Sequence, residues 1–315
     1  MREIGGYLQL DQYDKPMLHA DGVKLNCGRN ALAYILEARH ITKLAVPYFL
    51  CDSVAEVCAG YGVDVSYYHI DESFTPLSVT LRDGEWLYLV NYYGQISKAC
   101  LQQFSQQYGR VIMDNAQHYY ADPIEGMDTL YTCRKYFGVS DGAVLYTDTL
   151  LKRELEQDVS YDRIHYVLGR FEGHAGDFFR EASGNNDHFA QEPIKKMSRL
   201  TENLLHGIDY DSVKKRRTEN FAYLDQNLKM INHLELRIPE GAFMYPLYVK
   251  PAEQIRHRLQ EQGIYIPILW PDVLSVCEEN TLEYQLAQNI LPLPVDQRYG
   301  LDDMQYMLHK IMELL

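Results

Sequence analysis

The stretch GRVIMDNAQHYYADP, residues 109–123, decides the fold. Val111, Ile112 and Met113 form a short unbroken apolar run, the mark of a strand covered on both faces, and Asp114 closes it. An aspartate there has two readings. It is a turn or helix-capping residue, the commoner role for such a residue alone. Or it stands at the carboxyl edge of an open α/β sheet, where such folds bind their ligands.

Working outward, short apolar strands alternate with helices. Helices are predicted over 32–36, 52–60 and 96–107. Strands are predicted over 43–46, ending at Pro47, and over 63–70, 86–93, 110–114, 129–133 and 143–147. That alternation implies an α/β domain with a largely parallel sheet. Residues 148–232 read as mostly helical. Within them a helix over 211–230 carries Val213, Phe221, Leu224 and Leu228 at near-helical spacing and would bridge two domains. From residue 233 the pattern turns α+β, with strands over 243–249 and 264–268, a helix over 252–262 and a closing helix over 304–315. The expected division is a large domain, 1–232, and a small one, 233–315.

Two further stretches bear chemistry. In TCRKYFGVSDGAVLYT, 132–147, Lys135 follows a strand and precedes a Gly-bearing turn. It is a surface lysine, or it meets the same sheet edge as Asp114, where an apolar wall would lower its pKa and make it a nucleophile and base. Arg134 is read as a structural salt bridge behind it, with bidentate binding of a substrate carboxylate or phosphate as the other role. In NCGRNALAYILEA, 26–38, Gly28 breaks the chain and Asn30 would cap a helix beginning near Ala31. Such a start is an ordinary cap, or an anion site for a group such as phosphate. G-x-G-x-x-G and a phosphate-loop lysine are both missing, which leaves nucleotide binding with little support.

Composition narrows the class. The apolar share, 46% with 12% aromatic, is enough for a packed core. A net charge of −14 opposes nucleic acid or an anionic membrane as the main partner. None of the six cysteines forms a C-x-x-C pair, so reduced thiols and a cytoplasmic setting are expected. The opening residues MREIGG lack the apolar core of a signal sequence, and no apolar run approaches membrane-spanning length. The 11 histidines show no ligand spacing, and no metal site is expected. His118, Arg216 and Arg217 read as packing or structural residues. Trp270 would reach the pocket from the small domain or sit in an interface.

Each signal is weak alone, but their order is a pattern. Gly28-Arg29-Asn30-Ala31-Leu32, Val46-Pro47, Tyr92-Tyr93-Gly94-Gln95, Asp114-Asn115-Ala116-Gln117 and Thr132-Cys133-Arg134-Lys135 through Asp141-Gly142 follow one another. Together they resemble the fold-type-I pyridoxal-phosphate enzymes, specifically the DegT/StrS-like sugar aminotransferases. The likeness runs over about residues 25–150 and more weakly through Lys195-Lys196-Met197-Ser198 and ILPLPVDQRY, 290–299.

The resemblance implies a mostly parallel seven-stranded sheet flanked by helices, with a small C-terminal α+β domain. It implies pyridoxal 5'-phosphate, joined to Lys135 as a Schiff base. Asp114 would pair with the pyridine nitrogen, Gln117 with the phenolic oxygen, and Asn30 and Ala31 would offer backbone N–H groups to the phosphate. Thr132 would add a hydroxyl. Cys51 stands where the family stacks an aromatic ring on the cofactor, with Phe49, Tyr48 or a flatter aliphatic contact as substitutes. Family members form homodimers with shared sites, which makes the partner's copy of the segment around Asn185, Asn186 and Ser198 a candidate for closing the phosphate site. The chain is shorter than typical members, so segments that grip a nucleotide sugar would be missing. The implied reaction moves an amino group from an amino-acid donor to a carbonyl acceptor such as a keto-sugar. Decarboxylation or elimination on the same cofactor is an alternative, and so is a binding or regulatory module that has lost catalysis. Lys135 speaks against the dehydratase branch, which has histidine there.

Overall fold

Seven strands form one sheet in the computed structural model, which describes residues 4–315. Met1, Arg2 and Glu3, the first residues of the stretch read for a signal core, lie outside the described residues. The strands are β1 (Val23–Leu25), β2 (Lys43–Pro47), β3 (Asp64–Tyr68), β4 (Trp86–Val90), β5 (Val111–Asp114), β6 (Asp128–Thr132) and β7 (Ala143–Tyr146), in the spatial order β1-β7-β6-β5-β4-β2-β3. Neighbours from β3 to β6 run parallel, while β7 is antiparallel to both β6 and β1. Parallel pairing needs crossovers, which α1 (Gly28–Ala38), α2 (Asp52–Gly60) and α3 (Lys98–Tyr108) help provide. It also buries both faces, as at β5, where Val111, Ile112 and Met113 are at most 2% exposed. The carboxyl ends of β1, β2, β4, β5 and β6 therefore share one edge.

Beyond β7 come α4 (His165–Glu172), α5 (Phe179–His188), α6 (Arg199–Leu205) and α7 (Tyr210–Leu228). The segment 148–164, read as part of a helical region, forms no helix. The rest comprises β8 (Met244–Tyr248), α8 (Ala252–Glu261), α9 (Val273–Val276), α10 (Leu282–Asn289), β9 (Ile290–Pro294) and α11 (Leu301–Met312). Strands β8 and β9 pair antiparallel as a separate ladder. No helix among the described residues is long and apolar enough to cross a membrane.

The core falls into two apolar clusters. One surrounds the seven-stranded sheet. The other joins Phe221, Leu224 and Leu228 of α7 to Tyr245 and Leu247 of β8, Leu291 and Leu293 of β9, and Ile311 of α11. Near the start of α7, Tyr210 and Val213 pack against the first cluster, so this helix spans both. Residues 264–268, expected as a strand, are irregular. Pro267 supplies no N–H, Tyr265 and Ile268 are exposed, and the run finds no partner. The strand in its place is β9, whose Pro292 and Pro294 are tolerated because the ladder is only two strands wide.

Candidate active site

The shared carboxyl edge opens into a cavity of about 380 Å³ that collects Asp114, Gln117, Thr132, Lys135, Arg29 and Arg134. A larger recess of about 540 Å³ lies at Val23, Leu151 and Met197, on a different part of the sheet. Its Lys24 and Arg153 are already paired, at 2.6 Å with Glu202 and 2.8 Å with Glu37. It offers less free chemistry than the smaller cavity.

Asp114 ends β5 facing this cavity. Its Oδ2 accepts from the Tyr88 hydroxyl at 2.8 Å, and its Oδ1 from the Ala116 N–H at 2.7 Å. Tyr88 was not foreseen. The register opposes Tyr88 to Ile112, and Asp114 lies two residues beyond Ile112 on the same face. Burial pushes the Asp114 carboxyl above the usual range. The charge of Lys135, the Ala116 N–H and the Tyr88 hydroxyl act against that.

Gln117 is buried, with Oε1 taking the Tyr93 N–H at 2.8 Å, so its amide nitrogen is the end left for the cavity. Tyr93 holds φ of 51° in the turn Tyr92–Gly94, a left-handed conformation uncommon for a bulky residue. Lys135 lies in the loop joining β6 to β7, its side chain exposed and its Nζ 5.7 Å from the centre of the Phe243 ring. Gly142 closes that loop by accepting from the Cys133 N–H at 3.0 Å. Behind it, Asp141 is fully buried and accepts from the Ser198 N–H and hydroxyl, each at 2.7 Å, and from the Thr201 hydroxyl.

The helix start differs from the expectation. Helix α1 begins at Gly28 with Cys27 as its N-cap, so Asn30 does not cap it. The Asn30 side chain instead donates to Asn26 Oδ1 at 2.9 Å and to the Pro193 carbonyl at 2.8 Å. The Ala31 N–H is already bound to the Cys27 carbonyl at 3.0 Å, which removes it from any anion cradle. The N–H groups without a carbonyl partner in this turn are those of Gly28, Arg29 and Asn30. Burial raises the Cys27 thiol to about 11, against the lowering effect of the N–H groups of Asn30 and Arg29. A Cβ on Gly28 would stand 2.9 Å from Thr132 Oγ1, so glycine is what lets this turn approach the end of β6.

Cys51 lines the cavity from the N-cap of α2, its Sγ 2.9 Å from Ser53 Oγ. Its two aromatic substitutes face elsewhere. Phe49 is fully buried against Trp270, ring centres 4.3 Å apart, and Tyr48 packs on Tyr67 and His69. The aromatic residues that do line the cavity are Tyr88 and Trp270. Trp270 enters on the irregular segment 264–272, with Leu269, Pro271 and Asp272 beside it.

Arg134 makes no salt bridge among the described residues; it stacks over Phe189 at 4.8 Å and donates to Asn186 Oδ1 at 3.3 Å. Asn186 thus lines its own chain's cavity. Asn185 donates to the Ser140 carbonyl at 2.8 Å, and Ser198 is held by Asp141, so within the protomer both have structural partners. His118 lies in a turn rather than an extended segment, buried beside Asn91, and burial lowers it to about 4. Arg217 is buried, donating to the carbonyls of Ala242 at 2.9 Å and Tyr136 at 3.1 Å and to Gln297 Oε1 at 2.8 Å.

No protein-family model matches the chain, and no curated protein matches it. Solved structures do. The sugar aminotransferase CalS13 from Micromonospora echinospora is 18% identical, with a TM-score of 0.61 over 96% of this chain and 93% of that one. A DegT DnrJ EryC1 StrS aminotransferase from Brucella abortus is 17% identical, with a TM-score of 0.64 over 93% and 85%. DesV from S. venezuelae, in complex with a ketimine intermediate, is 16% identical, with a TM-score of 0.65 over 96% and 90%. At these identities the likeness establishes the fold: the chain has the fold of the fold-type-I aminotransferases.

Proposed function

We propose that this protein is a pyridoxal-phosphate-dependent aminotransferase that moves an amino group from an amino-acid donor to a carbonyl acceptor. The observation that carries this is the convergence of Lys135 and Asp114, from different strand ends, on one cavity whose far end is cationic. When bound, pyridoxal phosphate supplies an aldehyde that condenses with amines and a ring that withdraws electrons.

The residues fit that group in three places. Lys135 offers a free amine. Asp114 offers a carboxylate able to keep a pyridine N–H protonated, with both oxygens already oriented by Tyr88 and Ala116. The first turn of α1, Thr132 and two arginines offer an anion site. Gln117 would present its amide nitrogen to the phenolic oxygen, its other end being pinned by Tyr93. The Lys135 Nζ would be the base that takes the proton from the amino-bearing carbon of the substrate and passes it on to a different carbon, on the cofactor, as amino transfer requires. Trp270, Leu269 and Pro271 line the same cavity and would limit the water it holds.

A keto-sugar acceptor, a homodimer and a cytoplasmic setting extend the reading. The name of CalS13, a sugar aminotransferase, supports the first. Exposed Leu168, Phe171 and Phe179 on one helical hairpin support the second. Six unpaired cysteines support the third. Keto-sugar screening and sedimentation test the first two.

The decisive experiment adds pyridoxal phosphate to the purified protein and to Lys135→Ala. A visible band that borohydride fixes as a mass increment on Lys135, missing in the variant, is expected. A folded wild type with no band would overturn the enzyme reading and leave a binding module.

A further inference from the structure

Two features of the chain have no part in the candidate active site. The first is the segment IGGYLQL, residues 4–10. The residues just after it are fastened to their own protomer. Asn203 of α6 donates to the Asp11 carbonyl and accepts from the Tyr13 N–H, each at 2.9 Å, and the His206 Nδ1 lies 2.6 Å from the Lys15 carbonyl. Tyr13 packs so closely on the turn after α6 that a Cβ on Gly207 would stand 3.1 Å from its ring. Ahead of Asp11 the chain leaves the surface. Ile4, Tyr7 and Leu8 are 89%, 98% and 96% exposed. Residues 4–10 make no hydrogen bond among the described residues, and a Cβ added to Gly5 or Gly6 would meet nothing within 4 Å. Large apolar side chains clustered in this way mark an interaction surface.

The second feature is the recess of about 540 Å³ beside β1, an edge strand of the sheet. Val23, Tyr34, Leu151, Leu155 and Met197 line it, together with Leu150, which is 63% exposed. Its Lys24 and Arg153 are spent on Glu202 and Glu37, so what it presents is apolar surface. The arm and the recess meet on one helix. Glu202 of α6 lines the recess, and the next residue, Asn203, holds the arm. The anchors run from Lys15 at His206 to Asp11 at Asn203, which directs the arm toward the start of α6, where Met197 of the recess lies. Seven extended residues then reach roughly 23 Å further. In its own protomer the arm does not enter the recess, and none of its residues lines it.

We infer that residues 4–10 of one protomer dock in the recess of a second copy of this chain, each arm serving the other protomer. The inference rests on the homodimer reading and names what joins the two copies. Three observations favour a second copy as the occupant. With the arm's root and the recess on one helix, a two-fold axis near α6 carries each arm over the partner's recess, and one operation satisfies both contacts. The arm bears no charged side chain in a chain of net charge −14, so it is a segment that can meet another copy without adding to their repulsion. The area also suffices. At roughly 150 Å² for each large side chain, two arms and the surface they cover exceed roughly 1,200 Å², the lower end of a stable interface, before the α4–α5 hairpin is counted.

The test compares wild type with Tyr7→Ser/Leu8→Ser, Tyr7→Phe/Leu8→Met and Leu150→Glu by sedimentation over a concentration series. All three variants should fold as wild type, because these side chains are exposed in the protomer. The double serine variant and Leu150→Glu should weaken dimerisation by about a hundredfold or more, since each apolar contact is lost twice in a symmetric pair. Tyr7→Phe/Leu8→Met should dimerise as wild type. Benzoylphenylalanine in place of Tyr7 then reports the arm's neighbour. In a mixture of isotopically heavy and light copies, irradiation should join heavy arm peptides to light peptides from residues 150–155 or 196–202. A double serine variant that dimerises as tightly as wild type overturns the arm exchange and leaves the homodimer to the α4–α5 hairpin. Crosslinks confined to peptides of one isotope show the arm folding back on its own protomer and overturn the exchange as well. A wild type that is monomeric at every concentration overturns the exchange and the homodimer together, and the cofactor experiment still decides the enzyme reading.

Discussion

At Asp114, burial and neighbouring charge pull in opposite directions. Burial raises the carboxyl above its usual range, and Lys135, Ala116 and Tyr88 recover only part of that. The native chain therefore holds this proton to a higher pH than the unfolded chain does. Between the two values, raising the pH deprotonates the unfolded chain first and lowers native stability, and the loss is complete above the folded value. Asp114→Asn removes that loss. Without ligand, the variant's melting temperature should gain on wild type as the pH goes from about 3 to about 7. With pyridoxal phosphate bound the order should reverse, because the variant no longer holds the pyridine N–H and binds the cofactor more weakly. Melts across that range, with and without cofactor, check both signs; a constant difference without ligand would show that Asp114 is not strained by burial.

The elements explain what was legible and what was not. The apolar run of β5 is long enough to mark a strand, so the place of Asp114 at a strand end could be read directly, and that of Lys135 between two such runs likewise; their chemical roles could be read only from the combined pattern. Tyr88 could not, because its contact with Asp114 depends on the register between β4 and β5. The start of α1 was displaced because Cys27 is an uncommon N-cap and Asn30 a common one, which shifted the anion cradle from Gly28 and Arg29 onto Ala31. The strand expected at 264–268 was misread because an apolar run does not reveal whether a partner is available, and β9 was hidden by its own prolines. The approach of α1 to β6 through Gly28 is testable at this scale. Alanine there gains some helix propensity, at most about 1 kcal/mol. The contact with Thr132 Oγ1 costs about 1–3 kcal/mol. Gly28→Ala is therefore expected to lose about 1 kcal/mol net and about tenfold in cofactor affinity as the hydroxyl is displaced. A denaturation curve and an absorbance titration measure the two; full affinity would remove Thr132 from the cradle.

Across the whole molecule, most of the apolar residues that line the cavity belong to the cluster around the large sheet, and α7 joins that cluster to the second one. Arg217, on that helix, is the polar counterpart of this packing. It is buried over the Tyr136 ring at 4.4 Å and binds the carbonyls of Tyr136, next to Lys135, and of Ala242, leading into β8. Gln297, from the segment after β9, takes its Nε at 2.8 Å and donates to the same Tyr136 carbonyl at 2.7 Å. The lysine loop is therefore tied to the small sheet through one guanidinium. Burial lowers the Arg217 pKa, so its charge is itself costly here. Removing it still leaves carbonyls and a glutamine amide unpaired, and that cost is the larger one. Arg217→Met is expected to destabilise the protein by about 2–4 kcal/mol. It should also weaken the borohydride-trapped label on Lys135 at temperatures well below the melt, because Tyr136 is no longer held. Arg217→Lys, which keeps the charge but cannot span all the acceptors, should fall between the two in stability and in labelling. If Arg217→Met lost stability but labelled Lys135 as fully as wild type, the arginine would join the two clusters without positioning the lysine.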